Sequence, residues 1–359
     1  MKICASPKPL RMYINLLQLI DCNNDGVLDM KLTGKNILVT GGAGFIGSNL
    51  VDSLLTDGNR VSVLDNFSTG KMENIQHNIG RSDFELITGD IRDYETCKKA
   101  TAGKDVVFHE AALGSVPRSI KDPMTSTAVN VVGFVNMLFA AHENVVKRFV
   151  YAASSSTYGD SKTLPKVEDK IGKPLSPYAI TKYVDELFAG NFHDLYGIDV
   201  VGLRYFNVFG QRQDPDGAYA AVIPKFALAL IGHNPPTING DGSYSRDFTY
   251  IENVIQANKL AALADNPAAL NTVYNVAFGE RTTLNELYGF LRAALGKHDA
   301  EIFKLEAKYG PNRAGDIPHS LADITKARTL LGYEPKFSVR QGLLEAAKWY
   351  FEYLSKRVK

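Results

Sequence analysis

Short apolar runs alternate with longer stretches of helical periodicity along most of this chain. Runs rich in β-branched and apolar residues predict strands at 36–40, 60–64, 84–88, 105–109, 148–153, 201–207, 237–240 and 274–277. Apolar residues at helical spacing predict helices at 125–143, 220–231, 284–295 and 341–355. Strands and helices that alternate in this way are typical of a parallel sheet covered on both faces. The pattern therefore predicts an α/β protein with a doubly wound parallel sheet.

A turn rich in glycine follows the first predicted strand and leads into a helical pattern that begins at Phe45. Gly41 permits a tight turn, Gly44 lets the backbone approach a pyrophosphate, and Gly47 lets helix and strand pack closely. The second strand is followed by Asp65, whose carboxylate suits the ribose of NAD and would repel the 2′-phosphate of NADP. Considered alone, the turn could be one that binds no ligand, but this context predicts an NAD site.

Residues after later strands extend this candidate cofactor site. The polar loop behind the second strand could lie along the adenosine end of the cofactor and includes Asn66, Ser68, Thr69 and Gly70. Asp90 and Ile91 could flank an adenine ring, although Asp90 could equally cap the next helix. Ala111 and Ala112 are small enough for a cofactor to pass close over the sheet edge.

Hydroxyl groups cluster after the fifth predicted strand, at Ser154, Ser155 and Ser156. A predicted helix then carries Tyr178 and Lys182 four residues apart, which places them on one face. A cation beside a phenol favours the phenolate, so Tyr178 is a candidate general base. In isolation this pair would more often be an ordinary surface pair. Because it follows a serine-rich strand end in a dinucleotide-binding pattern, it indicates a catalytic pair.

Composition limits the class of protein. The chain has 359 residues, 45% hydrophobic and 22% charged, with a formal net charge of +1, as expected of an ordinary globular protein. That charge predicts no attraction to nucleic acid or anionic membranes. Its three cysteines have neither metal-ligand nor disulfide spacing, which favours a reducing cytoplasm. We also expect no apolar run long enough to span a bilayer.

Residues 1–33 precede the first strand and form a separate N-terminal extension. They imitate the first nine positions of a calcium loop, at Asp21, Asn23, Asp25, Gly26 and Asp29. Leu32 stands where the twelfth position needs a bidentate glutamate, so we favour a solvated turn or a helical arm and predict no metal site. The remainder divides into an NAD-binding part at 34–210, which holds the catalytic candidates, and a mainly substrate-binding part at 211–359, interleaved with the first.

Three longer strings allow comparison with a known family: ALGSVPRS at 112–119, YAASSSTYG at 151–159 and LRYFNVFG at 203–210. With the Gly-x-x-Gly-x-x-Gly turn and the Tyr-x-x-x-Lys pair, they resemble the extended short-chain dehydrogenase/reductase superfamily over residues 35–355. More narrowly, they resemble bacterial UDP-hexose 4-epimerases, above all the branch that prefers UDP-GlcNAc and UDP-GalNAc. The resemblance implies a Rossmann-like sheet with a smaller C-terminal α/β domain, NAD as cofactor, a homodimer and a role in surface polysaccharide synthesis.

The resemblance also implies roles for individual residues. Tyr178 would take the proton of the sugar 4-hydroxyl while C4 gives a hydride to NAD, and the turned 4-keto sugar would take the hydride back on its other face. Lys182 would hold the nicotinamide ribose, and the three serines would bind the reacting oxygen or the N-acetyl group. Further cofactor contacts would be Phe45, Ile46, Asn130 and Tyr205. Besides the serines, the substrate would contact Gly114, Ser115, Arg118, Asn207, Ala221, Val222, Asn239, Arg246, Arg313, Asp316 and Ser320, with Arg246 and Arg313 on the diphosphate.

Two departures from the wider family favour an N-acetylated sugar. Gly114 stands where the family often has lysine, and Ser320 where galactose-restricted epimerases have tyrosine, so both leave space near the sugar. The sequence thus predicts a UDP-GlcNAc 4-epimerase. The alternatives are a UDP-glucose or UDP-glucuronate 4-epimerase, with Arg118 as the cation for a uronate, a nucleotide-sugar 4,6-dehydratase, and a non-catalytic NAD-binding sensor. A dehydratase would need an acid pair where Ser156, Thr157 and Tyr158 stand.

Overall fold

The fold is built on one parallel sheet of seven strands. The computed structural model describes residues 31–215, 221–311 and 317–358. The sheet strands are β1 (Asn36–Thr40), β2 (Arg60–Asp65), β3 (Phe84–Thr88), β4 (Val106–His109), β5 (Arg148–Ser154), β6 (Val200–Tyr205) and β11 (Thr272–Val276). They lie in the order β11-β6-β5-β4-β1-β2-β3, and every neighbouring pair is parallel. The predicted doubly wound α/β architecture is therefore confirmed.

The central strands are buried on both faces, which explains their continuous apolar runs. Every residue of β4 and β6 is buried, and one hydrophobic cluster covers each face of the sheet. The predicted bounds of β1 and β3 are confirmed, and those of the other strands differ by one or two residues. The sixth strand, for example, ends at Tyr205 rather than at 207, because Asn207 has a positive φ of 36° that turns the chain out of the sheet.

Helices cover both faces of the sheet. They are α1 (Phe45–Thr56), α2 (Tyr94–Thr101), α3 (Val116–Lys121), α4 (Pro123–Thr127), α5 (Gly133–Glu143), α6 (Pro177–Tyr196), α7 (Val222–Ile231), α8 (Ile251–Leu263), α9 (Leu284–Leu295), α10 (Thr325–Leu331) and α11 (Val339–Val358). A π-helical segment, Ala128–Val132, joins α4 to α5. Short 3₁₀ turns lie at Met72–Asn74, Gln76–Asn78, Ser155–Tyr158, Pro267–Ala269 and Ala300–Lys304.

The continuous helix Pro123–Glu143 corrects one expectation. By length and composition alone it is apolar enough to cross a bilayer, although we expected no such stretch. In this fold Phe134, Met137 and Leu138 are fully buried in the cluster on one face of the sheet. Packing in the core therefore accounts for part of the apolar character of the helix, while Met124 and Val132 are exposed.

Smaller strands belong to the second half of the chain. They pair two by two: β7 (Val208–Phe209) with β10 (Thr249–Tyr250), β9 (Ser245–Arg246) with β12 (Thr282–Thr283), and β8 (Thr237–Asn239) with β13 (Lys308–Gly310). In contrast, β11 comes from this half yet lies beside β6 in the main sheet. The division of the chain at residue 210 stays a prediction. The pairing of β11 with β6 is one contact by which the second half contributes to the main sheet.

The sheet reverses its winding direction between β1 and β4. These two strands are neighbours in the sheet although β2 and β3 lie between them in the chain. A crevice opens at such a switch point beyond the carboxyl ends of the strands, and ligands of doubly wound proteins bind there. The N-terminal extension meets the fold at Leu32, which is buried in the core, and its calcium-like residues at 21–29 lie outside the described residues.

Candidate active site

The glycine turn after β1 lies so close to neighbouring backbone that there is no room for side chains on it. Gly41 has a φ of 67°, and a Cβ on it would lie 2.8 Å from the backbone nitrogen of Ala111, after β4. A Cβ on Gly47 would lie 2.2 Å from the carbonyl oxygen of Gly41, so α1 packs directly on the turn. The start of α1 therefore faces the crevice, where its N–H groups and dipole suit a phosphate.

The end of β2 supplies a buried carboxylate beside this turn. Asp65 accepts hydrogen bonds from the backbone N–H groups of Ala43 (2.9 Å) and Phe67 (2.8 Å). Burial raises the pKa of Asp65, and these two hydrogen bonds lower it. Each carboxylate oxygen keeps a further lone pair, so Asp65 can still accept from a ribose hydroxyl. Together with the glycine turn, this residue fits a dinucleotide.

The N-terminal cap of α2 excludes one of the two interpretations of Asp90. Asp93 caps this helix by accepting from the N–H of Glu95, so the cap interpretation of Asp90 is wrong. Asp90 instead accepts two hydrogen bonds from the guanidinium of Arg92 and one from Asn66. The hydrogen bond from Arg92 holds the pKa of Asp90 well below its usual range. Asp90 is thereby ionised and held at the edge of the crevice.

Helix α6 carries the predicted catalytic pair into the crevice. Its first turn is fixed by Ser176, which accepts from the N–H of Ala179, and by Ser119, which accepts from the N–H of Tyr178 (3.0 Å). One turn later Lys182 is almost fully buried, and its ammonium donates to the carbonyl of Ala152 (3.0 Å). Tyr178 and Lys182 are therefore presented from a rigid helix.

The ammonium of Lys182 also donates to the carboxylate of Asp185, at 3.2 Å. Burial alone would lower the pKa of Lys182, but the charge of Asp185, followed by those of Tyr178 and Glu110, raises it above its ordinary value. Lys182 is therefore a cation in this site.

The serine cluster has an internal order. Ser154 ends β5. The Oγ of Ser154 accepts from the backbone N–H of Ser156 (3.1 Å) and from the hydroxyl of Ser156 (2.9 Å). The proton of Ser154 is then free to be donated to a ligand. By contrast, Thr157 and Tyr158 are buried, and the hydroxyl of Tyr158 donates to Asn275 instead.

Glu110 brings a further carboxyl group to the crevice. It follows β4, and its Oε1 accepts from the hydroxyl of Tyr205 at 2.7 Å, which in turn accepts from the amide of Asn258. Burial raises the pKa of Glu110 to about 7, against the opposing effects of Tyr205 and Lys182. Its charge state is therefore sensitive to pH near neutrality.

These residues line one cavity of about 500 Å³ at the switch point. The predicted residues on its wall are Gly41, Gly44, Phe45, Ile46, Gly47, Asp65, Asn66, Ser68, Thr69, Asp90, Ile91, Ala111, Ala112, Gly114, Ser154, Ser155, Tyr178, Lys182, Tyr205 and Asn207. The structure thus brings most of the predicted cofactor site and the candidate catalytic pair together.

Other predicted residues lie elsewhere. Five of them are close to the cavity but not on its wall: Gly70, Ser115, Arg118, Asn130 and Ser156. Gly70 adjoins the Asp65 carboxylate, and Ser115 caps α3. Asn130 hydrogen-bonds Leu113 and Thr181, and Ser156 hydrogen-bonds Ser154. Val222 and Asn239 line a second groove, of about 420 Å³, and Ala221 precedes Val222 at the start of α7. Arg246 donates to the carbonyls of Ser245 and Pro318. Arg313 and Asp316 lie outside the described residues.

Comparison with known proteins places this site in a family. A family model described as GDP-mannose 4,6 dehydratase matches residues 38–346. The UDP-glucose 4-epimerase of Mycolicibacterium smegmatis is 38% identical over 316 residues, which cover 87% of this chain and 97% of that protein. The chain belongs to the extended short-chain dehydrogenase/reductase epimerase family.

Solved structures of this epimerase family match almost the whole described fold. The UDP-N-acetylglucosamine 4-epimerase of Methanobrevibacter ruminantium, in complex with UDP-N-acetylmuramic acid, has a TM-score of 0.83 at 40% identity, covering 89% of this chain and 99% of that one. The UDP-glucuronic acid 4-epimerase of Bacillus cereus, in complex with UDP-glucuronic acid and NAD, has a TM-score of 0.78 at 33% identity, covering 90% and 99%.

Two polar residues of the wall were not predicted as site residues of this epimerase-family chain. Glu110 directly follows a predicted strand, so its position at the sheet edge was a usable signal. Gln213 lies in a segment of turn-forming residues, and its amide donates to the carbonyl of Val208. No local pattern around Gln213 indicates contact with the cavity, because only the fold brings this loop back to the sheet edge.

Proposed function

We propose that the chain is an NAD-dependent 4-epimerase that interconverts UDP-GlcNAc and UDP-GalNAc. The observation that carries this proposal is that Tyr178 and Lys182 line the same cavity as the glycine turn, at the switch point of the sheet. A dinucleotide and a base are thereby brought to one reacting centre. Membership of a family that contains UDP-sugar 4-epimerases supports the same reaction.

The side chains divide the chemistry between them. NAD bound in this cavity would supply the acceptor for the C4 hydride and return it to the opposite face of the sugar. Tyr178 takes the proton of the 4-hydroxyl and gives it back, and the cation of Lys182 lies one turn further along the same helix. Ser154 donates its free proton to the reacting oxygen. Because proton and hydride both return to the sugar, turnover needs no external redox partner.

The preference for an N-acetylated sugar rests on space near the cavity. Ser320 lies beside Asn207, whose amide is 3.5 Å from the Ser320 hydroxyl, and Asn207 lines the cavity. A Cβ on Gly114, also on the wall, would meet no atom within 4 Å. Small residues at these two positions leave room for an acetamido group.

Two rival reactions have less support. A 4,6-dehydratase needs an acid pair after β5, whereas the residues there are Ser156, Thr157 and Tyr158, and the last two are buried away from the cavity. A UDP-glucuronate 4-epimerase would use a cation near C6, and Arg118 is not on the cavity wall. We therefore retain the 4-epimerase with an uncharged sugar.

A direct assay tests the reaction and the substrate together. Purified protein, without added NAD, is incubated separately with UDP-GlcNAc, UDP-glucose and UDP-glucuronate, and the epimers are resolved by NMR. We expect UDP-GlcNAc to be converted fastest, and Tyr178→Phe to retain NAD while losing about a hundredfold or more in kcat. Faster conversion of another sugar would contradict the substrate. No conversion of any sugar, even with NAD added, would contradict the reaction.

Substitution of Ser320 tests the argument from space. Ser320→Tyr should lower kcat/KM for UDP-GlcNAc by about tenfold or more and largely preserve activity on UDP-glucose, because a ring would occupy the acetamido volume. Ser320→Ala keeps the space and is the matched control, with both activities expected within a few-fold of the original. Equal losses on both sugars in Ser320→Tyr would show that the residue does not discriminate between them.

We further infer that the enzyme acts in the cytoplasm as a homodimer. The spacing of its cysteines suits a reducing compartment. The homodimer is supported by exposed apolar side chains on two neighbouring helices, Pro123–Glu143 and α6.

A further inference from the structure

Asp185 is a buried acid one turn beyond Lys182 on the same side of α6. It is fully buried, and its Oδ2 accepts from the ammonium of Lys182 at 3.2 Å. Its other oxygen, Oδ1, has no hydrogen-bond partner in the part of the chain that the structure describes. The acid does not line the cavity, so it lies behind the lysine that does.

This arrangement is not explained by stability. A buried ion pair contributes little net stability, because removing both charges from water offsets their attraction. An unpartnered buried carboxylate oxygen adds a further cost. A neighbouring buried ion pair is better satisfied: Glu186, the next residue, accepts from Arg204 through both oxygens, at 2.8 and 2.7 Å. The Lys182–Asp185 pair is thus an incompletely satisfied one placed against the catalytic cavity.

Several titratable groups surround the pair, and Asp185 is the acid that directly contacts the Lys182 ammonium. Lys182 also faces Tyr178 on its own helix and Glu110 and His109 from β4 and its end. Burial lowers the pKa of His109 to about 3, so this ring is neutral. Burial raises the pKa of Asp185 to about 7, against the opposing effect of Lys182, and Asp185 also faces Glu186 on α6 and Tyr151 on β5.

We propose that Asp185 is a positioning residue that keeps the buried Lys182 ammonium charged and oriented toward Tyr178. The proposal rests on the function proposed above. Two ammonium protons are held by Ala152 and Asp185, which leaves one N–H for the cavity. Without the carboxylate, burial would favour the neutral amine, and Lys182 would lose its charge at a lower pH.

The protonation of Lys182 can be measured without substrate. In the apoprotein, the rate at which a small acylating reagent modifies Lys182 is followed by mass spectrometry across pH, because only the neutral amine reacts. Asp185→Asn keeps the shape and removes the charge, so we expect Lys182 to be acylated at least about tenfold faster at mildly alkaline pH. Asp185→Glu, which keeps the charge, should remain within a few-fold of the original protein.

A matched control comes from a similar ion pair away from the cavity. Lys259 and Asp57 are 2.6 Å apart and largely buried, and neither lines the cavity. Asp57→Asn should therefore leave the acylation rate of Lys182 and the pH profile of turnover unchanged. In Asp185→Asn we expect kcat to fall by about tenfold or more at alkaline pH relative to neutral pH, beyond any fall in the original protein.

The outcomes separate this proposal from the proposed function. Unchanged acylation of Lys182 in Asp185→Asn, or a loss of kcat equal at every pH, would overturn the positioning role and leave the epimerase assignment intact. If Asp185→Asn does not fold, the proposal is tested on the original protein by comparing the pH at which Lys182 and an exposed lysine are acylated. Acylation of Lys182 at a pH no higher than that of an exposed lysine such as Lys304 would overturn the proposal, and resistance to a higher pH would support it.

Discussion

At the scale of single residues, the protonation of Glu110 in the cavity makes the stability of the fold depend on pH. Its pKa of about 7 in the folded protein lies above the ordinary value of 4.5. The folded state therefore binds the proton more tightly than the unfolded chain does. The resulting contribution to stability is complete below about pH 4.5 and is lost as pH rises through about 7. At alkaline pH, the folded protein holds a carboxylate in a partly buried place that disfavours it.

Substitution by glutamine tests this coupling. Glu110→Gln keeps an acceptor for the Tyr205 hydroxyl and removes the charge, so we expect the variant to gain about 1 to 3 kcal/mol in free energy of unfolding, relative to the original protein, between about pH 5 and pH 8. The measurement is urea denaturation of both proteins at several pH values. A difference that stays constant with pH would contradict the assigned ionisation.

At the scale of elements, the position of α1 depends on the absence of a side chain at Gly47. Because a Cβ there would lie 2.2 Å from the Gly41 carbonyl oxygen, an added methyl group must push the helix away from the turn. The helix start would then leave the place where it faces a phosphate.

Gly47→Ala should therefore lower the free energy of unfolding by about 1 to 3 kcal/mol and reduce the amount of NAD retained through purification. The matched control is Gly289→Ala in α9, where a Cβ meets no atom within 4 Å. That variant should be as stable as the original or more stable by up to about 1 kcal/mol, because alanine favours a helix. If the two variants behaved alike, close packing at Gly47 would not be the cause.

At the scale of the whole molecule, two neighbouring helices expose large apolar side chains. On Pro123–Glu143, Met124 is 79% and Val132 49% exposed, and on α6, Leu187 is 55% and Leu195 66% exposed. The two helices contact each other, so their exposed apolar residues lie on adjoining parts of the surface. Such a surface is typical of a contact between subunits.

We expect sedimentation velocity to show a dimer that Leu187→Glu converts to monomer, because a charge would be buried in the contact. Ile79→Glu is the control: Ile79 is 51% exposed but precedes β3, at the opposite edge of the sheet from β6 and β11. This variant should remain a dimer. A monomeric original protein would contradict the homodimer.

Local pattern was sufficient to predict the strands of the main sheet, several helices and the motifs, but it did not predict α3, α8 or α10. Buried parallel strands need continuous apolar runs, a tight turn against a helix needs glycine, and a pair on one helix face needs spacing of four, so each leaves a trace in neighbouring residues. For that reason the doubly wound parallel architecture and the helix that carries Tyr178 and Lys182 were predictable. The family followed from longer strings of the same kind.

Contacts between distant residues were decided only by the tertiary structure. Asp90 proved to be held by Arg92 and not to cap α2, because Asp93 was better placed for the cap. Glu110 meets Tyr205 across 95 residues, and this contact together with burial sets its pKa. Burial and long-range pairing depend on how the sheet brings separate strand ends together. The sequence by itself therefore determined the strands of the main sheet, several helices and the motifs they carry, while the packing of those elements decided the charge and the partners of each side chain in the cavity.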